Sequence, residues 1–276
     1  MFRKASSMII YKSHREIEAM RQTGNHAHRI LRLMAAACQP GVTTFDLNEI
    51  CREELAKIDG IGLSKNYPTY KPGEGYPAES CISVNEEVVH GIPGPRKLLP
   101  GDIVTLDLAM KWGEYCADTA ITVGIGEISS QRQALVDVTR DTLDLGINLI
   151  KPGVRWSEIA GKMQKYVEDK GYGVVREFVG HGIGRTMHED PKVPNFTNGE
   201  QRKSDFVLRK GMTFALEPMV IIGTRKVKTL ADDWTIVSKN GKSACHFEHT
   251  IAVTDTGADV LTDGRKVEAP ETVETA

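Results

Sequence analysis

The segment GDIVTLD at residues 101–107 decides the fold, because it has a counterpart in GMTFALE at residues 211–217. Each copy begins with a glycine, continues as an apolar run typical of a buried strand, and ends on a carboxylate. The motif QPGV at residues 39–42 has a similar counterpart, KPGV at residues 151–154. The two offsets, 110 and 112 residues, nearly agree. The sequence therefore favours an internal duplication over chance recurrence of common turns.

The repeated motifs predict one domain made of two related halves, about residues 13–128 and 129–263. A third match, HGI at residues 90–92 and again at residues 181–183, has a different offset of 91 residues. Two helices precede strands in each half, which is the order of an α+β fold. We expect each half to bring a carboxylate and a histidine to the interface between them.

Capping signals and apolar periodicity predict four helices, and short apolar runs predict the strands. The first helix opens with a capping box at Ser13–Glu16, and the third is expected to begin at Ser130 with Gln133 as its capping partner. A loop is expected over residues 62–80, which are rich in glycine, proline, tyrosine and serine. The second helix is predicted after Thr43 or Thr44 up to Gly60, the fourth over 156–170, and strands over 81–84, 103–110, 116–123, 213–217, 219–222, 235–237 and 247–253.

Composition excludes several classes of protein. The 276 residues carry 35 basic and 37 acidic side chains, and this balance argues against a nucleic-acid binder or a polybasic membrane anchor. The five cysteines form no CxxC pair, so we expect reduced thiols and a cytoplasmic protein rather than a disulfide framework or a zinc ribbon. No apolar run is long enough for a membrane span. Residues 1–12 are expected to form an N-terminal extension and residues 264–276 a loose tail.

Four carboxylates lie inside runs whose neighbours favour burial. Asp107 and Asp118 stand in predicted strands of the first half, and Glu217 and Glu248 stand in those of the second. A buried, unpaired carboxylate costs several kcal/mol, roughly, and these runs contain no lysine or arginine as a local partner. Exposure at a strand edge would explain any one of them. For all four together, a site for divalent cations is the better explanation.

Three histidines have surroundings that suggest chemistry. His181 is enclosed by glycines in GHGIG at residues 180–184, His188 follows seven residues later, and His90 precedes the sequence Gly-Ile-Pro. One imidazole with several carboxylates suits Mn²⁺, Fe²⁺, Co²⁺ or Zn²⁺ better than Ca²⁺. The pattern is neither HExxH nor a phosphate-binding loop, and a GxSxG nucleophile motif is absent. Ordinary, satisfied turn positions are expected for His14, His26, His28, His246 and His249.

The ordered set of Asp107, Asp118, the GHGIG motif, Glu217-Pro-Met and Glu248-His-Thr resembles the signature of the pita-bread metallopeptidases of family M24. The resemblance extends from about Ser13 to Asp263. It implies a pita-bread fold, with antiparallel sheets of two pseudo-symmetric halves around a dinuclear metal site. It also implies two divalent ions per chain, of cobalt, manganese, iron or zinc.

Further motifs resemble the type I methionine aminopeptidases within that family. These are SVNE at residues 83–86 leading to HGIP at residues 90–93, the residue Trp234, and the short interval between His188 and Glu217. The resemblance implies removal of the initiator methionine from nascent proteins whose second residue is small. Implied partners are the amino-terminal methionine of peptides and, as a candidate, the ribosome. We expect a monomer that binds neither nucleic acid directly nor a membrane.

The resemblance also assigns roles to individual residues. Asp118 and Glu248 would bridge two metal ions, Asp107 would chelate one, and His181 and Glu217 would complete the other. Glu217 would also shuttle the proton. His188 would polarise the scissile carbonyl and His90 would contact the scissile amide nitrogen. The implied methionine pocket consists of Tyr76, Cys81, Met187 and Trp234.

Two other hypotheses fit parts of this pattern. The first is a pita-bread peptidase that cleaves Xaa-Pro bonds, although such relatives usually carry a large additional amino-terminal domain. Only 106 residues precede Asp107 here, and the predicted duplication already uses them. The second is a binding module that kept the fold and lost activity, but such relatives lose ligands and this chain keeps all five.

Overall fold

The computed structural model describes residues 8–68 and 75–265. The expected loop over 62–80 therefore lies partly outside the described residues, as do most of the amino-terminal extension and most of the carboxyl-terminal tail. Among the described helices, none combines the length and the apolarity that crossing a membrane requires.

The capping box that the sequence predicts at Ser13 is present, and a second capping box, at Thr43, begins the next helix. The side chain of Ser13 accepts from the backbone N–H of Glu16, and the side chain of Thr43 accepts from that of Asp46, while each acidic side chain bonds back to the cap. The helices are α1 (His14–Ala37), α2 (Thr44–Ala56), α3 (Ser130–Leu149) and α4 (Trp156–Asp169), with a 3₁₀ turn at Gln201–Ser204.

The cap predicted for the third helix is wrong by one residue. Ser130 is already helical, and Ser129 is the N-cap, whose hydroxyl accepts from the backbone N–H of Arg132. Gln133 instead donates its side-chain amide to Asp137 one turn later. Two consecutive serines present equivalent caps, so the sequence alone does not choose between them.

The strands that the sequence predicts are present within one or two residues at most ends, but several short strands were missed. The prediction of one strand over Phe247–Val253 is wrong. Two strands form in this region, and Phe247 and Glu248 lie between them. The strands are β1 (Ile61–Gly62), β2 (Cys81–Val84), β3 (Glu87–Val89), β4 (Ile103–Trp112), β5 (Tyr115–Gly124), β6 (Tyr172–Val174), β7 (Gly180–Gly182), β8 (Glu189–Val193), β9 (Thr213–Leu216), β10 (Met219–Ile222), β11 (Val227–Thr229), β12 (Ile236–Ser238), β13 (Ala244–His246), β14 (His249–Val253) and β15 (Ala258–Val260).

All described strand pairs are antiparallel. In the first half, β4 is bordered by β1, β2 and β5. In the second half, five strands follow the order β15-β14-β9-β7-β8. Two three-stranded sheets, β13-β10-β6 and β11-β12-β3, complete the fold, and the latter joins a strand of the first half to strands of the second.

The two halves repeat each other in hydrogen-bond detail. In the first, the N–H of Gly41 donates to the carbonyl of Leu98 at 2.8 Å, and the N–H of Leu98 donates to Val42 at 2.8 Å. In the second, Gly153, Leu208 and Val154 repeat both bonds at 2.9 Å. Both glycines have φ near +90°, a conformation that side chains disfavour, so the repeated Pro-Gly turn is structural. The same turn, with the same hydrogen bonds, therefore occurs once in each of the two predicted halves.

Each half buries a core of its own between its helices and one face of its sheet. Leu106 and Leu108 of β4 pack with Leu47 of α2, and Phe214 and Leu216 of β9 pack in a core that contains Trp156 of α4. Because side chains alternate along a strand, the intervening residues point to the opposite face. Those opposite faces meet between the halves, where the polar site lies.

Candidate functional site

The long hairpin of β4 and β5 places two carboxylates on one face. Asp107 is opposite Ala120 and Asp118 is opposite Ala109, and these two pairs are separated in the ladder by the pair of Leu108 and Thr119. Residues in such diagonal pairs share a face of the sheet and lie within reach of one another. Both side chains therefore line the same cavity, together with Ala109.

The second half brings a matching pair to the opposite side of this cavity. Glu217 directly follows β9 and Glu248 directly precedes β14, two strands that pair with His249 opposite Leu216. His181 is the middle residue of β7, which lies on the other side of β9. The structure thus brings together all five residues predicted as metal ligands around one cavity.

Backbone and threonine contacts across the seam between the halves fix these carboxylates. Ala120 and Glu248 exchange backbone hydrogen bonds of 3.2 and 2.9 Å. The hydroxyl of Thr250 accepts from the N–H of Asp118 at 2.9 Å and donates to its carbonyl at 2.8 Å. The hydroxyl of Thr119 donates to the carbonyl of Glu248 at 2.9 Å. The positions of Asp118 and Glu248 therefore depend directly on the seam.

The imidazole of His181 is oriented toward the carboxylates. Its Nδ1 lies 3.0 Å from the carbonyl of Gly182, which requires a proton on Nδ1 and leaves Nε2 with a free lone pair. Nε2 lies 3.7 Å from Oδ2 of Asp118 and 3.6 Å from Oε1 of Glu217. Three residues, Asp118, His181 and Glu248, each offer one potential ligand atom, and these three atoms lie within 4.8 Å of one another.

Burial and mutual repulsion make this cluster unfavourable when it is fully charged. Burial raises the pKa of Asp107 to about 7, and burial with the charge of Asp107 raises the pKa of Glu217 to about 8. The same causes raise the pKa values of Asp118 and Glu248 well above their ordinary range. Burial lowers the pKa of His181 to about 4. The site thus disfavours both the ionisation of all four carboxyl groups and the protonation of the His181 imidazole.

The donor set fits divalent cations. Oδ1 of Asp118 and Oε1 of Glu248 are buried and have no hydrogen-bond partner, a costly state that a cation would relieve. The described lining of the cavity includes neither lysine nor arginine to neutralise them. Carboxylate oxygens with one neutral imidazole suit Mn²⁺, Fe²⁺, Co²⁺ or Zn²⁺.

The cavity next to this cluster has a volume of about 290 Å³. Every residue that the sequence analysis assigned to substrate binding lines it: Tyr76, Cys81, His90, Met187, His188 and Trp234. The rings of Tyr76 and Trp234 meet edge to face at 5.2 Å, and the hydroxyl of Tyr76 donates to the carbonyl of Gly91 at 2.7 Å. One end of the cavity is therefore aromatic and rigid, and the other is polar.

Two histidines stand between these ends. The ring of His188 lies 4.2 Å from that of His181, and its Nδ1 lies 3.0 Å from the hydroxyl of Tyr67. His90 has a φ of +59°, which is uncommon outside glycine and is found preferentially at functional positions. Its ring meets Phe178 edge to face at 5.4 Å, and burial lowers its pKa to about 4. Neutral imidazoles here are available as hydrogen-bond donors.

The residues that sequence reasoning did not assign to the site, although they line the cavity, include Tyr67, Phe178 and His246. His246 was expected to occupy an ordinary turn position with its ring satisfied, and this is wrong. It is the last residue of β13 and is buried, and neither of its ring nitrogens has a partner. Its place two residues before Glu248 was the available signal.

Comparison with known proteins gives the family of the chain and its relatives. Residues 18–255 match the model of metallopeptidase family M24. The chain is 43% identical to methionine aminopeptidase 1 of Bacillus subtilis over 255 residues, covering 92% of this chain and 99% of that one. A crystal structure of methionine aminopeptidase from Thermotoga maritima superposes with a TM-score of 0.86 at 40% identity, covering 92% of this chain and 99% of that one.

More distant structures share the fold alone. An Xaa-Pro dipeptidase of Bacillus anthracis superposes with a TM-score of 0.70 at 23% identity. The match covers 93% of this chain but 62% of the dipeptidase. The common architecture is therefore the two-halved domain described above.

Proposed function

The chain belongs to metallopeptidase family M24, and from this membership and the geometry of its site we propose that it is a methionine aminopeptidase. It removes the initiator methionine from nascent proteins whose second residue is small, by hydrolysis of the first peptide bond. The observation that carries the proposal is a single cavity in which five metal-ligand side chains adjoin an aromatic and thioether-lined pocket.

The five ligands would hold two divalent cations. Asp118 and Glu248, which each retain an unpartnered buried oxygen, would be shared between the two cations, and Asp107 would help to hold one of them. His181 and Glu217, with side-chain atoms 3.6 Å apart, would help to hold the other. Cations bound there supply Lewis-acid chemistry at neutral pH and compensate the buried negative charge.

Glu217 moves the proton in the proposed reaction. Its carboxyl borders both His181 and the substrate cavity, and its raised pKa shows that the surroundings favour the protonated form when no cation is bound. A carboxylate so placed can accept a proton from the attacking water and deliver it to the departing amine. The peptide bond breaks to give free methionine and a shortened chain with a new amino terminus.

The two neutral histidines act on the scissile amide. His188 donates from Nε2 to the carbonyl oxygen, because its Nδ1 is engaged by the hydroxyl of Tyr67. His90 contacts the amide nitrogen from the other side of the cavity. The methionine side chain occupies the pocket formed by Tyr76, Cys81, Met187 and Trp234, where a flexible thioether packs well against aromatic rings.

We also propose that the enzyme acts as a cytoplasmic monomer on chains emerging from the ribosome. The near-neutral net charge and the reduced cysteines support this setting. We propose no direct binding of the protein to nucleic acid or to membranes.

The experiment is a comparison of two substrates. With Mn²⁺ or Co²⁺ present, the protein should release free methionine from a Met-Ala-Ser peptide and leave an Ala-Pro dipeptide intact. A matched peptide with a bulky second residue, Met-Phe-Ser, should be cleaved much more slowly. Preferential cleavage of Ala-Pro would instead support an Xaa-Pro peptidase, and cleavage of neither peptide by the metal-loaded protein would reject both assignments.

A further inference from the structure

Lys12 precedes α1, and its side chain is buried against the second half of the molecule. Its backbone N–H donates to the carbonyl of Gly211 at 2.7 Å, which fixes the segment to the second half. Its ammonium group forms an ion pair with Glu189 and also donates to the carbonyl of Ile10 at 3.3 Å. The side chains of Lys12 and Glu189 are 3% and 7% exposed. The sequence had suggested an extension outside the catalytic domain, but this lysine is packed within it.

Glu189 organises the turn that carries two of the substrate-binding residues. Its Oε1 accepts from the backbone N–H of Arg185 at 2.9 Å and of Thr186 at 3.4 Å, and its Oε2 meets the ammonium of Lys12. Met187 and His188 lie between these contacts. The carboxylate therefore closes a short loop whose tip faces the cavity, and Lys12 neutralises the charge that closes it.

The packing around this ion pair leaves no room for a side chain at Gly184. A Cβ at Gly184 would lie 2.5 Å from Cε of Lys12 and 2.5 Å from Oε1 of Glu189. The carbonyl of Gly184 accepts from the N–H of Cys116 at 2.8 Å, on the strand that carries Asp118. The start of the turn is thus fixed to the metal-ligand strand, and its end is fixed by Glu189.

We propose that Lys12 is a positioning residue for His188, acting through Glu189. The inference rests on the proposed function, since it assigns Lys12 to the placement of the histidine that polarises the scissile carbonyl. Without the ammonium group, the buried carboxylate of Glu189 would have no ion-pair partner, and it would therefore move toward solvent. That movement breaks its two backbone hydrogen bonds and displaces His188. The amino-terminal segment is then part of the catalytic apparatus.

Four variants test this proposal: Lys12→Met, Glu189→Gln, the double variant, and Lys165→Met as a control. Lys12→Met keeps an unbranched apolar side chain and removes the charge. The double variant keeps an oxygen to accept from Arg185 and Thr186 but leaves no buried charge. Lys165 forms an exposed ion pair with Asp169 on α4, so its variant should behave as wild type.

The activity of Lys12→Met on Met-Ala-Ser should fall chiefly in kcat, by about 10- to 100-fold, the order that a displacement of a catalytic group by an ångström costs. Its affinity for Mn²⁺, measured by calorimetry, should stay within about twofold of wild type, because the turn holds no metal ligand. The double variant should be clearly more active than the product of the two single effects predicts. Multiplicative effects, or an unchanged kcat in Lys12→Met, would overturn the proposal.

A second readout does not depend on activity. In protein labelled with ¹⁵N at histidine, the ring signals of His188 should shift in Lys12→Met and return toward wild type in the double variant, while those of the distant His28 stay fixed. Should wild type prove inactive on Met-Ala-Ser, the proposed function fails, and these spectra still decide whether Lys12 positions His188. If Lys12→Met fails to fold, the double variant decides: recovery of the His188 signals supports the proposal, and altered signals contradict it.

Discussion

Thr250 connects the two halves at the point where Asp118 is fixed, and its replacement by valine is the sharpest test of the seam. The side chain is fully buried, and its hydroxyl bonds to both the N–H and the carbonyl of Asp118. Valine has nearly the same shape and lacks the hydroxyl. Thr250→Val therefore leaves two buried backbone groups of Asp118 without partners while it preserves the packing.

The magnitude follows from these two contacts. Each buried polar group that loses its partner costs about 1–3 kcal/mol, so the variant should lose about 2–6 kcal/mol of unfolding free energy. Thr250→Ser keeps the hydroxyl and removes one methyl group, and it should cost about 1 kcal/mol. The affinity for Mn²⁺ should also fall in the valine variant, because Asp118 loses its fixed position.

The assay is urea unfolding of the metal-free protein, followed by calorimetric titration with Mn²⁺. The expected order of unfolding free energy is wild type, then Thr250→Ser, then Thr250→Val. If the valine variant is as stable as the serine variant, the seam hydrogen bonds do not hold the halves together. Equal Mn²⁺ affinity in all three proteins would refute the link between the seam and the site.

Two further predictions concern the site itself. Burial raises the pKa of Asp107 to about 7 and that of Glu217 to about 8, so the folded metal-free chain holds these two protons more tightly than the unfolded chain does. The stability that this tighter proton binding contributes is present near pH 4 and is lost as the pH rises through about 8. The unfolding free energy of chelator-treated protein should therefore fall between pH 5.5 and 8.5, and Mn²⁺ should restore it most at pH 8.5; a metal-free protein equally stable at both pH values would contradict this. Tyr67→Phe removes the hydroxyl that engages Nδ1 of His188, and kcat on Met-Ala-Ser should fall about tenfold with little change in KM. A changed KM with unchanged kcat would assign Tyr67 to substrate binding instead.

Local signals in the sequence were sufficient for much of the fold. The capping box at Ser13 was identifiable because its two partners lie three residues apart, and the repeated Pro-Gly turns because their glycines require a positive φ. The four carboxylates were identifiable because an acidic side chain is unexpected inside an apolar run whose neighbours favour burial. The grouping of all five proposed ligands around one cavity agrees with that interpretation.

Contacts between distant segments could not be predicted in this way. The strands β7 and β8 are short and contain glycine or proline, so their pairing depends on neighbours far along the chain. Lys12 meets Glu189 across 177 positions, and nothing near either residue indicates the pair. His246 was expected to be a satisfied turn residue, because its unpartnered nitrogens appear only when the cavity is formed.

Metal-dependent release of methionine with Glu217 as the proton carrier can be tested in a single assay. Release of free methionine from Met-Ala-Ser is measured for wild type and for Glu217→Gln, each with and without Mn²⁺. Glutamine keeps the size of the side chain but cannot carry the proton. We predict metal-dependent release by wild type and a loss of at least about 100-fold in kcat for Glu217→Gln, at the lower end of what a general acid–base supplies. Turnover retained in the glutamine variant, or release by wild type that persists after chelation, would contradict the account.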